Sequence, residues 1–336
     1  MQAGKLSPEA LQQSIFSRLH QRRPEVVLAA ALGEDSAALD LAGDLVVVST
    51  DPITGASKNA GWLAVHVSCN DVAANGAEPV AILLTVIMPV GAKLEAVERI
   101  IADAERAAKE VNAQIVGGHT EFTAAVNQPV ISTTVIGRVA SGKLATSGQI
   151  QPGDALVVSK YIGLEGTAII AWDHVDLVLP LLGERLLGEA QDLSGKISIV
   201  PEAQIAAKLG IRAMHDATEG GVLGAAYEMA EAAGLGFCLH ADQFPIHPAT
   251  AILSKHFGLD PSRLISSGTL LMASADPGRL ISDLAKADIS ATVIGEFTAN
   301  PAKLLWANEQ MLPVAAPESD ELWRWLQGIK SRTSQL

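Results

Sequence analysis

Short apolar segments alternate with helical segments along the whole chain, and this alternation restricts the fold more than any other feature. Leu45 to Ser49, Val80 to Ile87 and Gln114 to Val116 contain many β-branched residues and end at glycine, proline or charged residues, which is typical of strands. Between the second and third segments, residues 94–111 place apolar side chains at steps of three and four, which indicates an amphipathic helix. The first half therefore contains a predicted strand–helix–strand unit, followed by a strand at residues 130–139.

The second half repeats the alternation. We predict strands at residues 155–159, 212–215, 237–240, 270–273 and 291–295, and helices at 202–209, 222–233, 249–256 and 279–287. Hydrophobic residues make up 49% of the chain but aromatic residues only 4%, so Ala, Val, Leu and Ile must form the cores. Such cores suit sheets covered by Ala-rich helices, and both halves are therefore predicted to be α+β.

The 336 residues suggest two domains, at roughly 100 to 200 residues per domain. Turn-forming residues interrupt the pattern near residues 145–152, and we expect an N-terminal domain at 1–148 and a C-terminal domain at 149–310. Residues 311–336 then form a C-terminal tail, in which Trp323 and Trp325 near a short helix favour a packing contact over a site.

Charge and cysteine content exclude several classes of function. A net charge of −13 argues against a nucleic-acid partner, because phosphate backbones are bound by basic surfaces. Cys69 and Cys238 are far apart and outside metal-binding spacings, which favours two free buried thiols. No apolar run reaches the roughly 18 residues that span a bilayer, and the polar start does not resemble a signal peptide, so we expect a cytoplasmic protein without a membrane partner.

Three carboxylates of the first half lie in a turn, at the end of a strand and in a helix. Asp35 lies in a glycine–acid turn after Gly33, and Asp51 ends an apolar strand, where open α/β sheets bind their ligands. Asp71 interrupts the apolar face of a helix predicted at 59–75, and a buried carboxylate there is costly unless it is paired or binds a metal. Magnesium prefers such oxygen ligands together with phosphates. A solvated loop at Asp35 and an Asn–Asp hydrogen-bond network at Asp71 remain open alternatives.

Two glycine-rich segments add anion-binding potential. Residues 117–121, with the sequence GGHTE, follow the third strand, and paired glycines let backbone amides approach an anion closely. Residues 216–221, DATEGG, lead into the helix at 222, which Thr218 is expected to cap while free amides face a phosphate. Either segment could equally be a simple turn that ends a strand or begins a helix, without a binding role. Neither the P-loop pattern nor the Rossmann fingerprint is present in the sequence.

Together these segments resemble the PurM superfamily, which includes AIR synthase, thiamine-monophosphate kinase, selenophosphate synthetase and the hydrogenase-maturation branch HypE. The resemblance is carried, in order, by GEDSA (33–37), STD (49–51), CNDVAANGA (69–77), GGHTE (117–121) and DATEGG (216–221). It runs from about residue 27 to about residue 297, and five motifs in register are far more specific than any one of them. DATEGG is more similar to the Asp-x-Thr-x-Gly-Gly of HypE than to the Asp-Ile-Ser-Asp-Gly of the thiamine-phosphate kinases.

The resemblance implies a two-domain PurM-like fold. The N-terminal α/β domain would pair with that of a second copy in a dimeric β-barrel, and the C-terminal α+β domain would close over ATP. The resemblance also implies that Asp35, Asp51 and Asp71 hold magnesium and phosphate. The residues expected to contact nucleotide or phosphate are Gly33, Asp35, Gly117, Gly118, Thr120, Asp216, Thr218, Gly220 and Gly221. ATP and Mg²⁺ are thus the expected cofactors, and a homodimer is the expected assembly.

Three positions depart from the HypE pattern. Glu219 stands where HypE has an arginine, Ser267-Gly268 replaces an expected Glu-Gly, and His119 stands where relatives often have an acid. HypE dehydrates the thiocarboxamide of a cysteine at its C-terminus with ATP, whereas this sequence ends Thr333-Ser334-Gln335-Leu336. The fold and the ATP site are therefore expected here, but carbamoyl dehydration is not.

The leading functional hypothesis is a Mg-ATP-dependent enzyme that activates an unknown acceptor by phosphoryl transfer. His119 is a candidate acid or base, although a lone histidine in a turn is also typical of a capping or surface residue. Two alternatives stay open. One is a non-catalytic, ATP-sensing dimer that partners a maturation complex, and the other is a small-metabolite kinase resembling thiamine-monophosphate kinase.

Overall fold

The computed structural model describes Gln12 and residues 26–28, 31–34, 36–41, 44–54, 59–139, 142–317 and 319–333. The chain divides into two compact units. We call residues 22–30 and 35–144 the N-terminal unit, and residues 1–21, 31–34 and 145–336 the C-terminal unit. In the described part of the chain, no single helix is long and apolar enough to cross a membrane; one bent pair, residues 164–173 with 175–196, meets the length and composition test only as a pair.

The N-terminal unit is a mixed sheet with helices on one face. Its described strands are β1 (Val26–Leu28), β2 (Ala37–Leu41), β3 (Asp44–Ile53), β4 (Glu78–Pro89), β5 (Gln114–Thr123) and β6 (Val130–Arg138), in the order β1-β2-β3-β6-β4-β5. Its helices are α1 (Ala60–Ala74) and α2 (Leu94–Glu110). Strands β4 and β5 are parallel, with α2 between them in the chain, so the predicted strand–helix–strand unit is confirmed.

Helix α1 begins and ends within one residue of the helix predicted at 59–75, but it is not a surface helix with one apolar stripe. All its residues are buried, because it packs against β3, β4 and β6 on one side and against α2 on the other. Small residues make up much of its sequence, which lets these elements approach it closely. Asp71 is therefore surrounded by protein and not placed on an exposed helix face.

Strand β5 is longer than the strand predicted at residues 114–116. It continues to Thr123 in parallel register with β4, with a bulge at Val116 that shifts the register by one residue. Gly118 has φ of +149°, and a Cβ there would lie 1.8 Å from the carbonyl oxygen of Leu84. The glycine therefore permits close approach of two strand backbones, and the GGHTE segment is strand instead of turn.

The C-terminal unit contains a second mixed sheet. Its described strands are β7 (Ala155–Ser159), β8 (Ala213–Ala217), β9 (Gly236–His240), β10 (Thr269–Ser274), β11 (Ala291–Thr298), β12 (Lys303–Ala307) and β13 (Gln310–Pro313), in the order β13-β12-β9-β11-β7-β10-β8. Only the β9–β12 pair is parallel among the pairs of this described sheet. All five strands predicted for this half are present, and the sheets make the protein α+β.

Seven described helices complete the unit. They are α3 (Leu164–Asp173), α4 (Val175–Asp192), α5 (Val200–Lys208), α6 (Gly221–Ala233), α7 (Pro248–Phe257), α8 (Pro277–Ala285) and α9 (Glu321–Thr333). Helix α6 packs on the sheet through a core that includes Val222 and Met229. Helices α3, α4, α7 and α9 form a second apolar cluster, in which Trp325 contacts Phe257 and His174. The sequence did not predict α3 and α4, which are apolar on more than one face.

Candidate functional site

Strand β3 and helix α1 bring together two of the predicted magnesium ligands. The Ser49 hydroxyl donates a hydrogen bond of 2.5 Å to the Asp71 carboxylate, which is only 6% exposed. Asp51 follows Ser49 by two positions in a strand of regular register, so both side chains lie on the sheet face that α1 covers. Two carboxylates that are distant in sequence thus occupy one region of the N-terminal unit.

The third predicted ligand, Asp35, lies outside the described residues. Among the residues that the structure does describe, no group of three or more His, Cys, Asp and Glu side chains is arranged to hold a metal ion. Magnesium is commonly bound by one or two carboxylates, with water and phosphate oxygens as the other ligands. Asp51 and Asp71 fit that role by residue type and position, and the proposed set of three remains a prediction.

A groove of about 460 Å³ runs along β5, between the strand and α2. Gly117, Gly118, His119 and Thr120 contribute to its lining, together with apolar residues of β4, β5 and α2. His119 is exposed, and its Nε2 lies 3.3 Å from a carboxylate oxygen of Glu121. The groove thus combines an apolar wall with polar strand-edge groups, as small-molecule sites do.

Gly33 belongs to the C-terminal unit, in contrast to the predicted domain boundary. It has φ of +77°, and a Cβ there would lie 2.7 Å from the carbonyl oxygen of Glu228 on α6. Its own carbonyl accepts a 2.8 Å hydrogen bond from the Ser147 hydroxyl. Close packing against α6 therefore explains the glycine, and its predicted phosphate contact remains untested.

The start of α6 differs from the prediction. Thr218 does not cap the helix; the cap residue is Gly220, with φ of +84° and without a side-chain cap. The amide of Gly221 donates to the Thr218 carbonyl over 3.1 Å, so Thr218 stabilises this turn through its backbone and not through its side chain. Asp216, four positions before Gly220, is buried in β8. A glycine with positive φ makes the tight entry to the helix, which the threonine could not provide.

Asp320, which sequence reasoning did not single out, holds the Gly220 amide. Its carboxylate, 1% exposed, accepts backbone hydrogen bonds from Gly220 at 2.7 Å, Leu322 at 2.8 Å and Ile265 at 3.2 Å. Burial raises the pKa of Asp320 to about 6, although these three donors favour its ionised form. An Asp directly before an apolar helical pattern is a helix-start signal, so the bond to Leu322 at the beginning of α9 could have been anticipated.

Glu165 is a second buried acid that the sequence analysis missed. It lies in the first turn of α3, is 7% exposed and is hydrogen-bonded to Ser267. Burial, opposed by the Ser267 hydrogen bonds and aided by the charges of Asp320 and Glu219, raises the pKa of Glu165 to about 7. The one available signal was a glutamate within the apolar run from Ile162 to Ile170.

The cysteines have no described metal-binding or disulfide role. Both are free, Cys69 is buried in α1, and Cys238 is half-buried in β9. Burial, and then the charge of Asp71, raises the pKa of the Cys69 thiol. A thiol in such surroundings is a poor nucleophile, because the reactive form is the thiolate.

Two α+β units, each a mixed sheet with helices, agree with the two-domain fold that the sequence resemblance implies. Residues 33–139 match the family model described as AIR synthase related protein, N-terminal domain, and residues 151–306 match the model for the C-terminal domain. The chain therefore belongs to the AIR synthase-related family.

The similar proteins include hydrogenase-maturation proteins and, among the solved structures, thiamine-monophosphate kinase. A hydrogenase expression/formation protein of Methanocaldococcus jannaschii is 30% identical over 80% of this chain and 80% of the relative. Carbamoyl dehydratase HypE of Rhodobacter capsulatus is 30% identical over 72% of this chain and 69% of the relative. The crystal structure of HypE in complex with ATP shares the fold, with a TM-score of 0.73 at 22% identity, over 96% of this chain and 98% of that one.

Proposed function

We propose that this protein binds ATP with magnesium and uses it to activate an acceptor by phosphoryl transfer. The observation that carries the proposal is the hydrogen bond from Ser49 to Asp71, which places this buried acid on the side of the sheet that also carries Asp51. A solved relative with this fold, HypE, is described in complex with ATP. Asp51 and Asp71, with Asp35, would hold the metal and the phosphates.

The other predicted contacts have different support. Gly117, Gly118 and Thr120 line the groove beside β5, which supports a role near the nucleotide. The amides of Gly220 and Gly221 already donate within the C-terminal unit, to Asp320 and to the Thr218 carbonyl. Their proposed phosphate contacts would therefore need different donors of the same turn, or a rearrangement of it.

In the proposed reaction, positioning and charge stabilisation supply most of the catalysis. Bound magnesium would polarise the transferred phosphoryl group and neutralise its charge. The role of this chain's carboxylates is to fix that ion and, in the case of Asp71, to remain oriented by Ser49. His119 is placed on the open side of β5, where it can exchange protons with solvent or with an acceptor.

A binding-only role is the second candidate. It is favoured by the Gly220 amide, which is occupied by the carboxylate of Asp320 instead of being free for a phosphate. On this alternative the chain senses ATP as part of a maturation complex. Steady-state release of phosphate from Mg-ATP, with and without candidate acceptors, distinguishes the two, because a sensor binds nucleotide without turnover.

We also propose a homodimer built on the N-terminal unit. The sheet face opposite α1 and α2 carries exposed apolar side chains, including Leu83 and Ile136. A second copy would cover this face and pair the sheets. Light scattering at micromolar concentration is expected to give the dimer mass, and a monomer mass would contradict the shared barrel.

The test of nucleotide binding is thermal stabilisation. Mg-ATP is expected to raise the melting temperature of the wild type, since a ligand at about 100 times its Kd adds about 2.7 kcal/mol. Asp51→Asn should remove most of that rise, while Asp288→Asn, a change of the same kind at an exposed position of the C-terminal unit, should retain it. If millimolar Mg-ATP does not shift the wild-type transition, the proposal fails.

A further inference from the structure

Three carboxylates from separate parts of the sequence lie within electrostatic reach of one another in the C-terminal unit. Glu165 begins α3, Glu219 lies in the turn before α6, and Asp320 directly precedes α9. They are close enough that the charges of Asp320 and Glu219 act on Glu165, and the charge of Glu219 acts on Asp320. We call this group the acid cluster.

Two members of the acid cluster already have structural partners. Asp320 accepts from three backbone amides, of which Gly220 is the nearest. Glu219 accepts a 3.2 Å hydrogen bond from the indole N–H of Trp323 on α9. These contacts hold both acids in positions from which their negative charge acts on Glu165.

Glu165 is different, because one of its oxygens is buried without a donor. Ser267 supplies hydrogen bonds to the carboxyl group, but no hydrogen-bond donor among the described residues reaches Oε2. Leaving a buried carboxylate oxygen without a donor is unfavourable, so such an atom calls for an explanation. Glu219 is half-buried, whereas Glu165 and Asp320 are buried, so solvent contacts the acid cluster through Glu219.

The surrounding charges select the kind of group that Oε2 would accept. Among the described residues, the titratable groups that act on Glu165 are Asp320 and Glu219, both acidic, so their field attracts a cation and repels an anion. A metal ion fits less well, since no three His, Cys, Asp or Glu side chains in the described part of the chain are spaced to ligate one. A nitrogen cation needs only one directional N–H···O bond and a negative surrounding field.

We propose that the acid cluster binds a positively charged nitrogen, of the primary-ammonium class, through Oε2 of Glu165. This proposal rests on the proposed function in one respect, because the cation would belong to the acceptor that the ATP reaction activates. Asp320 and Glu219 supply the negative field, and Ser267 orients the carboxyl group. The binding step forms a charge-assisted hydrogen bond and breaks no covalent bond.

Binding of this kind is linked to protonation. Burial and the neighbouring charges of Asp320 and Glu219 raise the pKa of Glu165 to about 7, so below that pH the carboxyl group largely carries a proton. A cation binds the ionised form, and at pH 6 to 7 its binding therefore releases a proton. Affinity for the cation should rise up to about tenfold between pH 6 and pH 8.

The experiment uses the full chain without nucleotide, so that its outcome does not depend on ATP binding. The melting temperature is measured at constant ionic strength in increasing concentrations of methylammonium chloride and, in separate series, of tetramethylammonium, sodium and magnesium chlorides. We expect methylammonium to stabilise the wild type more than the other three salts. Glu165→Gln should remove the difference, and Glu184→Gln, a matched change at an exposed site on α4, should retain it.

A second measurement does not depend on any variant. Calorimetric titration of the wild type with methylammonium at pH 6.5, in two buffers of different ionisation enthalpy, should show proton release into the buffer. The proposal is overturned if methylammonium and tetramethylammonium act alike, if magnesium gives the larger Glu165-dependent effect, or if no proton is released. Loss of the Mg-ATP response of the wild type would instead count against the proposed function.

Discussion

Glu165→Gln should make the C-terminal unit more stable at pH 8, although it changes a buried side chain that has hydrogen bonds. The variant keeps the size of the side chain and an oxygen that can accept from Ser267, but it cannot carry a charge. The wild-type carboxylate is nine-tenths buried or more and lies near two other acids. Its ionised form is therefore the costly one in the native state.

The size and sign of the effect follow from the pKa of Glu165. Its native value of about 7 exceeds its ordinary value of 4.5, which corresponds to about 3 kcal/mol at about 1.36 kcal/mol for each pKa unit. Between these two pH values the native state holds a proton that the unfolded chain has released. The free energy of unfolding therefore falls with rising pH across this interval, and the contribution present below pH 4.5 is lost above pH 7.

Urea unfolding at pH 5, 6, 7 and 8 measures this contribution. Glu165→Gln and the wild-type sequence are compared in a Trp62→Phe background, because the other four of the five tryptophans lie in the C-terminal unit and then report on that unit alone. The wild-type free energy should fall by about 1 kcal/mol between pH 6 and pH 7, while the Gln variant should change little. Asp320 titrates with a native pKa of about 6, so its own effect is largely complete in this interval.

The reasoning is refuted if Glu165→Gln and the wild type have parallel pH profiles, or if the variant is less stable at pH 8. Glu184→Gln, at an exposed site, serves as the control and should follow the wild type at every pH. A parallel profile would mean that water reaches the carboxylate of Glu165 in solution.

Two further changes test the packing of each unit. Gly118→Ala should destabilise the N-terminal unit by more than about 2 kcal/mol in chemical unfolding, because the new Cβ would meet the backbone of β4. In the control Gly148→Ala nothing lies within 4 Å of the new Cβ, so stability should change by less than about 1 kcal/mol. Glu202→Gln should cost about 3 kcal/mol, since it removes the carboxylate 2.7 Å from the buried ammonium of Lys160, while Glu189→Gln breaks only an exposed pair and should cost under about 1 kcal/mol. Equal effects within either matched pair would contradict the burial that the structure assigns.

The elements were predictable from the sequence where one local signal dominated. Residues 94–111 have the period of an amphipathic helix, and α2 covers this range almost completely. Helix α1 was located correctly, yet its environment was not, because a helix covered on every side has no polar stripe from which to infer its neighbours. Helices α3 and α4 were missed for a related reason, since their apolar residues do not show one clear period.

Glycine was the main source of error. Gly117 and Gly118 were interpreted as the end of a strand, whereas the structure uses Gly118 where two parallel strands come close together. For Gly33 the sequence predicts a phosphate contact, which stays a prediction, and the structure adds a packing role against α6 that the sequence did not indicate. Both roles depend on the approach of a segment remote in sequence, so local reasoning cannot distinguish them from a turn.

The two buried acids of the C-terminal unit, Asp320 and Glu165, differ in whether folding alone explains their presence. The burial of Asp320 has a structural explanation, because its carboxylate accepts hydrogen bonds from three backbone amides and caps α9. Its replacement would leave these donors without an acceptor. Glu165 has no such justification, since one oxygen is without a donor in the described residues and a neutral side chain of equal size would remove the charge penalty. A residue that lowers stability at neutral pH and is nevertheless present in the core is better explained by what it binds than by what it holds together. Asp71 resembles Asp320 rather than Glu165 in this respect, because the Ser49 hydroxyl donates to its carboxylate and orients it on the face of the sheet that also carries Asp51.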